Sequence, residues 1–439
     1  MITTKASIIK NVPYRVRVLV FIFFLMIITY LDRNCIALVG PRMKEEFHLN
    51  NEQFGWALAA FALAYALFEI PSGILGDRIG QRAVFIRIVV LWSLFTVATG
   101  FTSGLVSLII VRFLFGMGEA GVFPTCSGTL SRWFPVTETA RSVNVTTIGQ
   151  SVSLAIAPLI IIPLAANYGW RSTFYVNGLI GIVWVWVCYT WFRNHPSEMK
   201  GISEKERDYI EKNRQFKATS HHFPLKSIFK NRSLMAISAI HFCACWGFYF
   251  FISWLPIYLQ QGRHFSEHES KLIISLMFSV GILITLAGGH FADWLVKNKG
   301  LTFTRRALGM TILGGTAVAL FITGITSSNT VVVISLVTAY LFFPLNNTNN
   351  YCVCIDIGGN NAGAVAGVMN FTGQIGAFIM LILFGKLADV THSYNVPVIV
   401  IAAVLCIGCM LWLLVDPTKK LVIEGTTKVK SALQPQPQP

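Results

Sequence analysis

The chain has 439 residues, of which 54% are hydrophobic and only 13% are charged, and its mean hydropathy is +0.61. A soluble protein carries about 25% charged residues, so this composition excludes a soluble globular domain and indicates a membrane protein. The formal net charge of +15 does not predict a nucleic-acid partner, because the basic residues fall in alternate loops, where they set membrane topology.

Apolar stretches of roughly 20 residues recur along the chain, and a stretch of this length spans a bilayer as an α-helix. The first one has no small-residue cleavage site after it, which predicts a retained helix rather than a signal peptide. We predict an all-α membrane protein with about twelve transmembrane helices, at roughly 18–40, 53–75, 83–101, 104–130, 141–165, 171–192, 232–260, 268–291, 305–326, 330–352, 362–386 and 395–415.

One long polar segment, between the sixth and seventh spans, divides the spans six and six. The charges of residues 203–210 predict a short amphipathic surface helix within it. The predicted parts are an N-terminal tail (1–17), an N-terminal six-helix bundle (18–192), a cytoplasmic linker (193–231), a C-terminal six-helix bundle (232–415) and a C-terminal tail (416–439) that ends in Gln-Pro repeats.

Lysine and arginine cluster after the second, fourth and eighth spans and in the C-terminal tail. The positive-inside rule therefore predicts that both termini are cytoplasmic. The residues that end the second and eighth spans, 73–77 and 289–293, repeat a Gly-x-x-x-Asp pattern. Such internal symmetry is typical of a transporter whose substrate site lies between two related bundles.

The nine cysteines lie in or beside apolar segments, where a free thiol behaves as a small hydrophobe. The close pairs Cys352 with Cys354 and Cys406 with Cys409 lack a second pair or a flanking histidine. We therefore predict neither disulfides nor a metal site, and no cofactor.

Charged side chains interrupt the first span near its end, at Asp32 and Arg33. Adjacent residues of a helix point about 100° apart, so one can face a cavity while the other faces a neighbouring helix. The alternative is that the pair simply marks the end of the span, with the arginine reaching water. The apolar residues 35–39 that follow favour the functional interpretation.

The fourth span contains Arg112 and Glu119, and each ionisable group at membrane depth costs roughly 2.5–3.5 kcal/mol. They are separated by about two helical turns, so both lie on one face, which must point to a protein interior or a watery cavity. Gly116, Gly118 and Gly121 lie between or beside them and allow a neighbouring helix to approach closely.

These charges suggest a division of labour between the two residue types. Arginine stays protonated and binds a carboxylate with a planar fork, so Arg33 and Arg112 are candidates to hold an anionic substrate. A desolvated carboxylate can take up a proton, so Asp32 and Glu119 are candidates to carry protons as the coupling ion.

Other polar residues in apolar spans have less specific interpretations. Glu69 is a third buried acid, which we interpret as a gating or packing contact, and His241 and His290 are interpreted as hydrogen-bonded structural residues. The amide-rich run 346–350 suits a hydroxyl-rich substrate, because amides both donate and accept.

The segment Gly73-Ile-Leu-Gly-Asp77-Arg78-Ile-Gly80-Gln-Arg82 resembles the cytoplasmic signature of the major facilitator superfamily. In that family the motif latches the two bundles together through its charges and a helix end. The resemblance implies the major facilitator fold and a cytoplasmic gate formed by Gly73, Asp77, Arg78, Gly80 and Arg82.

A set of shorter motifs resembles the anion:cation symporters of that superfamily, which include bacterial proton-coupled carriers of galactonate, glucarate and hexuronates. The motifs cover nearly the whole chain and comprise Tyr30-Leu-Asp-Arg33, Arg112-Phe-Leu-Phe-Gly-Met-Gly-Glu119-Ala-Gly, Arg132-Trp-Phe-Pro135, Gly169-Trp-Arg-Ser-Thr-Phe174 and the linker that begins at Pro196-Ser-Glu. The run 346–350 is not typical of the sugar-acid carriers.

The resemblance implies a role for each matching position. Proton coupling falls to Asp32 and Glu119. Carboxylate binding falls to Arg33 and to Arg112, which is also able to pair with Glu119. Contacts to sugar hydroxyls fall to Tyr30, Tyr65, Gln150 and Asn370, for which the alternative is a helix–helix hydrogen bond worth about 0.6 kcal/mol.

The sequence thus predicts a transporter, not an enzyme, that imports a sugar acid with protons by alternating access, as a monomer in a bacterial inner membrane. Two alternatives stay open. An organophosphate or phosphate exchanger also needs two arginines but need not move protons, and a non-transporting nutrient sensor needs only the binding site.

Overall fold

A computed structural model describes residues 12–135, 138–214, 230–358 and 362–421 of the chain. The side chains of Asp77, Arg141, His290 and Asp293 lie outside this description, as do parts of both tails and of the linker. The predictions made for Asp77, His290 and Asp293 therefore rest on the sequence alone.

The predicted all-α fold with twelve spans is confirmed: the described residues contain twelve helices long and apolar enough to cross a membrane. The first six spans are formed by helices Tyr14–Leu38, Asn51–Ile79, Gln81–Thr99, Leu105–Glu119 with Val122–Trp133, Thr139–Tyr168 and Trp170–Thr190. The last six are Arg232–Tyr249 with its continuation to Gly262, Glu267–Lys299, Leu301–Ile325, Asn329–Phe342 with Pro344–Gly358, Ala362–Thr391 and Asn395–Leu411.

A short helix, Glu204–Asn213, follows the sixth span and packs on the first bundle. Its Glu206 carboxylate accepts hydrogen bonds from the backbone N–H groups of Tyr14 and Arg15, at 3.1 and 3.0 Å. These N–H groups have no partner inside their own helix, and a carboxylate also complements the positive end of the helix dipole. The described part of the linker is therefore tied to the start of the first span.

Three spans are interrupted near their midpoints, which hydrophobic length alone did not predict. The fourth span breaks at Gly121, which has a φ of +102°. The tenth breaks before Pro344, since proline lacks the N–H that would continue the helix and clashes with the preceding turn. The seventh contains π-helical turns at Phe250–Trp254 and Tyr258–Gly262, which often mark functional positions.

The two bundles approach each other to backbone contact where the second span packs on the eleventh. A Cβ atom at Gly55 would lie 2.6 Å from the carbonyl oxygen of Leu381, and one at Gly385 would overlap the carbonyl oxygen of Asn51. Small residues permit this separation. The fifth and eighth spans also join the two bundles, and there the Ser275 hydroxyl donates to the Ala155 carbonyl at 2.7 Å.

Polar contacts join the bundles at the end that carries the short helix Gly40–Glu46. The topology predicted from the sequence places this end outside the cell, and we call it the outer end. The Asp389 carboxylate accepts hydrogen bonds from the backbone N–H groups of Asn51 and Glu52, at 3.2 and 2.8 Å, and from the Asn51 side chain at 2.6 Å. Arg42 pairs with Glu267 at 2.8 Å. A carboxylate of the second bundle thus caps the second span of the first bundle.

Lys44 is buried in the same contact, with 7% of the residue exposed. Its ammonium donates to the side-chain oxygens of Asn51 and Gln261, and the Tyr394 hydroxyl donates to Asn51 at 2.8 Å. Burial lowers the pKa of Lys44 to about 8, while Asp389 acts in the opposite direction. These groups hold the outer end closed.

Replacing Asp389 by Asn should weaken this closure, because the charge-assisted bonds to Asn51 and Glu52 become neutral ones or are lost. Each charged hydrogen bond contributes about 1.5–3 kcal/mol, so the ratio of outer-open to outer-closed molecules should rise by about tenfold or more. Electron–electron distance measurements between spin labels at 168 and 327, on a background without reactive cysteines, would report the two populations.

The matched control is Asp208→Asn, which removes a carboxylate from the exposed face of the linker helix. An unchanged distance distribution in the Asp389 variant would contradict the assignment of this contact as the outer closure.

Candidate functional site

The interior between the first and fourth spans holds a buried ion pair between Arg33 and Glu119. One Glu119 oxygen accepts from Arg33 Nη2 at 2.5 Å and from Nε at 3.1 Å. The exposed fractions of the two side chains are 5% and 1%. Since a buried ion pair repays its desolvation only with good geometry, this pair marks a position where the fold accepts an energetic cost.

Three aromatic rings surround the Arg33 guanidinium. Its Cζ atom lies 4.9 Å from the ring centres of Tyr30 and Phe61 and 5.0 Å from that of Tyr65. A cation within about 6 Å of a ring face is attracted by the ring quadrupole. One carboxylate oxygen and an aromatic enclosure therefore hold the arginine. The enclosure keeps the arginine in position if the carboxylate departs.

Arg112 is buried beside this pair, with its Cζ atom 5.0 Å from the centre of the Phe61 ring and 4.8 Å from that of Phe115. The resemblance allowed Arg112 to pair with Glu119, but Glu119 is hydrogen-bonded by Arg33 instead. The Arg112 Nε atom has no hydrogen-bond partner among the described residues. Arg112 stays within electrostatic range of Glu119 and Arg33, so it remains a donor open to a ligand.

Asp32 is also directed into the interior, where 2% of the residue is exposed. Neither of its carboxylate oxygens, nor the second oxygen of Glu119, has a partner within the described ranges. Asp32 lies within electrostatic range of Glu119 and Arg112. A buried carboxyl without a partner is costly when ionised, so this group has the chemistry expected of a proton carrier.

The interruption of the fourth span positions Glu119. The helix Leu105–Glu119 ends on this residue, and the chain turns through Gly121 before the next helix begins at Val122. A Cβ atom at Gly116 would lie 2.5 Å from the Phe61 carbonyl oxygen, and one at Gly121 would overlap the Ser72 side chain. The glycines therefore bring the fourth span against the second span, which supplies Phe61 and Tyr65.

The second bundle faces these charges with neutral polar groups. The Tyr249 hydroxyl donates to Gln374 at 2.7 Å, and Tyr249 lies within electrostatic range of Arg33. The Tyr351 hydroxyl donates to the Asn370 side-chain oxygen at 3.1 Å. Sequence reasoning selected Asn370 but missed Tyr351 and Gln374. Their signals were the position of Gln374 one helical turn after Asn370, and that of Tyr351 directly after the amide-rich run.

The amide-rich run is partly used inside the second bundle. Asn349 donates to the Arg305 carbonyl at 3.0 Å, and Asn350 bonds the His241 ring at 3.2 Å, as expected for a structural histidine. The side-chain oxygens of Asn346, Asn349 and Asn350 have no partners in the described part of the chain. Gln150, in contrast, is only partly buried in the fifth span.

The gate motif lies at the inner end, opposite the outer end. Gly80 ends the second span with a φ of +88°, and a Cβ atom there would lie 2.7 Å from the Asn194 side chain. The backbone N–H of Arg82 donates to Asn194 at 2.8 Å, and its guanidinium donates to the Tyr189 carbonyl. Arg78 is exposed. The described contacts tie the motif to the sixth span of its own bundle.

Comparison with known proteins places these features in a wider group. Residues 22–381 match the sequence profile of the family described as Major Facilitator Superfamily. The chain is 30% identical over 414 residues to a protein of Escherichia coli O6:H1 named "D-galactonate transporter", with 90% of this chain and 94% of the relative covered.

A second relative, from Cupriavidus necator, is named "Probable sulfoacetate transporter" and is 28% identical over 396 residues, with 89% of this chain and 91% of the relative covered. Among solved structures, the fold resembles a bacterial homolog to the human lysosomal transporter Spinster in an inward-facing and occupied conformation. That match has a TM-score of 0.73 at 19% identity and covers 92% of this chain and 97% of the other.

Replacing Gly121 by Ala should displace the fourth span at the point that presents Glu119. An alanine at a positive φ costs about 1–3 kcal/mol, and its methyl group would also overlap Ser72. We expect a lower melting temperature of the purified protein in detergent, measured by thermal unfolding.

Gly367→Ala is the matched control, because Gly367 is helical and a Cβ atom there would meet nothing within 4 Å. Equal melting temperatures for the two variants would show that the fourth span tolerates a side chain at the break.

Proposed function

The chain belongs to the Major Facilitator Superfamily and is a multi-pass inner-membrane transporter of small organic anions, and we propose that it imports a sugar acid by proton symport with alternating access. The observation that carries this proposal is the Arg33–Glu119 ion pair. A substrate carboxylate that binds Arg33 must replace the Glu119 carboxylate. Protonation of Glu119 releases Arg33 for this exchange.

The proposed cycle follows from this competition. From the outside, a proton neutralises Glu119, and Arg33 becomes free to bind the substrate carboxylate with its planar fork. Arg112, whose Nε atom has no partner in the described ranges, supplies the second cation. Asp32 takes up a proton because its burial disfavours an unpaired charge. The loaded bundles then reorient, and release of the anion inside lets Glu119 lose its proton and bind Arg33 again.

The sugar-acid class is supported by the neutral groups opposite the arginines. Tyr249, Gln374, Asn370 and Tyr351 offer hydroxyl and amide groups that both donate and accept hydrogen bonds. Such groups suit the hydroxyls of a polyol chain whose carboxylate is held by Arg33. The relative named for D-galactonate supports the same class, whereas the relative named for sulfoacetate supports the wider class of organic anions.

A binding screen would test the substrate class. We expect the purified protein to gain thermal stability with D-galactonate or a hexuronate. Stabilisation by sulfoacetate alone would move the proposal to sulfonated acids. Counterflow of an organophosphate that does not depend on pH would favour an exchanger. Binding of an acid without its accumulation in proteoliposomes would favour a nutrient sensor.

Replacing Arg33 by Lys should weaken binding of the acid identified in that screen by about tenfold to 100-fold, because the charge is kept but the bidentate fork is lost. Isothermal titration calorimetry on the purified variant measures this loss. The control is Arg207→Lys in the exposed linker helix, and equal affinities in both variants would exclude Arg33 as the carboxylate-binding residue.

Replacing Glu119 by Gln should abolish uptake driven by a proton gradient while substrate binding and counterflow persist. The amide mimics the protonated acid, so Arg33 is released but no proton is exchanged. Proteoliposomes with an imposed pH gradient separate the two activities.

For this measurement the control is Glu138→Gln, which removes a carboxylate that pairs with Arg15 at the surface. Gradient-driven accumulation at the wild-type rate in the Glu119 variant would refute its coupling role.

A further inference from the structure

A third acid, Glu69, lies beside the ion pair and has no role in the cycle above. It is buried in the second span, with 4% of the residue exposed. Phe61, Tyr65 and Glu69 follow one another at intervals of four residues, which places them on one face of the helix. The rings of Phe61 and Tyr65 contact the Arg33 guanidinium. Glu69 therefore extends the same face by one turn towards the inner end.

The groups that face Glu69 come from several elements. Arg33 of the first span is within electrostatic range of Glu69, and the Asn370 side chain of the eleventh span is its polar neighbour. Tyr30 and Tyr351 are also within electrostatic range. Arg87 of the third span donates instead to the Ser72 hydroxyl at 2.9 Å.

Asn370 connects this acid to the second bundle. The Asn370 amide pairs with the Tyr351 hydroxyl through both of its polar atoms: the hydroxyl donates to the amide oxygen at 3.1 Å and accepts from the amide nitrogen at 2.8 Å. Glu69 lies beside this pair. A carboxylate, an amide and a phenol thus meet at one place where the two bundles adjoin. Carboxylate and amide oxygens are good acceptors for hydroxyl groups but repel a second anion.

The net charge of the buried centre also disfavours a second anionic group on the substrate. The buried ionisable groups that lie together are Arg33 and Arg112 on one side and Asp32, Glu69 and Glu119 on the other. In the loaded state of the proposed cycle Asp32 and Glu119 carry protons, so the charges that remain are those of Arg33, Arg112 and Glu69, and the centre has one net positive charge. One substrate carboxylate neutralises this charge. A second carboxylate adds a net negative charge to a low-dielectric interior, where like charges repel strongly.

We propose that Glu69, together with Asn370 and Tyr351, is the specificity determinant that selects sugar acids with one carboxylate over those with two. The inference rests on the proposed sugar-acid function. The Arg33 side of the centre binds the carboxylate, and Glu69 accepts a hydrogen bond from a substrate hydroxyl. A second carboxylate at the place of that hydroxyl meets the Glu69 charge and is rejected.

D-galactonate and galactarate form a suitable probe pair, since they share a carbon skeleton and differ in having a hydroxymethyl group or a carboxylate at one end. Binding of each to the purified full-length protein is measured by calorimetry at neutral pH. We expect the wild type to prefer galactonate. In Glu69→Gln the ratio of the two affinities should fall by about tenfold or more, because galactarate binding tightens.

Three variants keep the test decisive. Glu69→Asp keeps the charge and should keep the preference for galactonate. Asn370→Asp adds a second carboxylate at the same place and should weaken galactarate binding further, which tests the inference even if Glu69→Gln fails to fold. Glu138→Gln, on the surface, should leave the affinity ratio unchanged.

The outcomes separate this inference from the proposed function. Equal wild-type affinities for the two acids, or an affinity ratio that does not change in Glu69→Gln and Asn370→Asp, would overturn the specificity role and leave sugar-acid transport standing. If the wild type bound neither these acids nor a hexuronate, the proposed substrate class would fall and the specificity inference with it.

Discussion

The buried pair between Arg33 and Glu119 is the interaction on which the rest of this structure depends. Two charges in a low-dielectric interior are expensive unless each satisfies the other. Their separation therefore requires a replacement, either a proton on Glu119 or an anion on Arg33. The aromatic enclosure of Tyr30, Phe61 and Tyr65 holds the arginine in place during that exchange. In the proposed cycle, this structural cost is the means by which proton binding and substrate binding are linked.

The interruptions of the spans place this pair in the interior. The fourth span ends a helix on Glu119 and restarts after Gly121, and the tenth span restarts at Pro344, directly before the amide-rich run. The negative end of a helix dipole favours nearby cations, so the helix end at Glu119 adds to the field that retains Arg33. Broken helices near the middle of the membrane are how two-bundle transporters expose backbone and side-chain groups to a ligand.

The outer end shows a different use of charge. There, Asp389 caps a helix of the opposite bundle and Lys44 bonds to neutral side chains of both bundles. These groups lie outside or at the edges of the spans, where water can replace their partners when the bundles separate. In the proposed mechanism, charges at the centre select what is bound, whereas charges at the outer end stabilise one of the arrangements between which the bundles alternate.

The sequence by itself determined the number of spans, the two-bundle fold and the four charged residues inside the spans that the proposed mechanism uses. Hydrophobic length reports a bilayer directly, and an ionisable residue inside an apolar span is too costly to be kept there without a function. Only the tertiary structure decided that Arg33, not Arg112, pairs with Glu119, that the fourth span breaks after Glu119, and that Tyr351 pairs with Asn370. Helical periodicity fixes which residues share a face of one helix, but the rotation and separation of neighbouring helices depend on contacts such as Gly116 against Phe61, which no single stretch of sequence encodes.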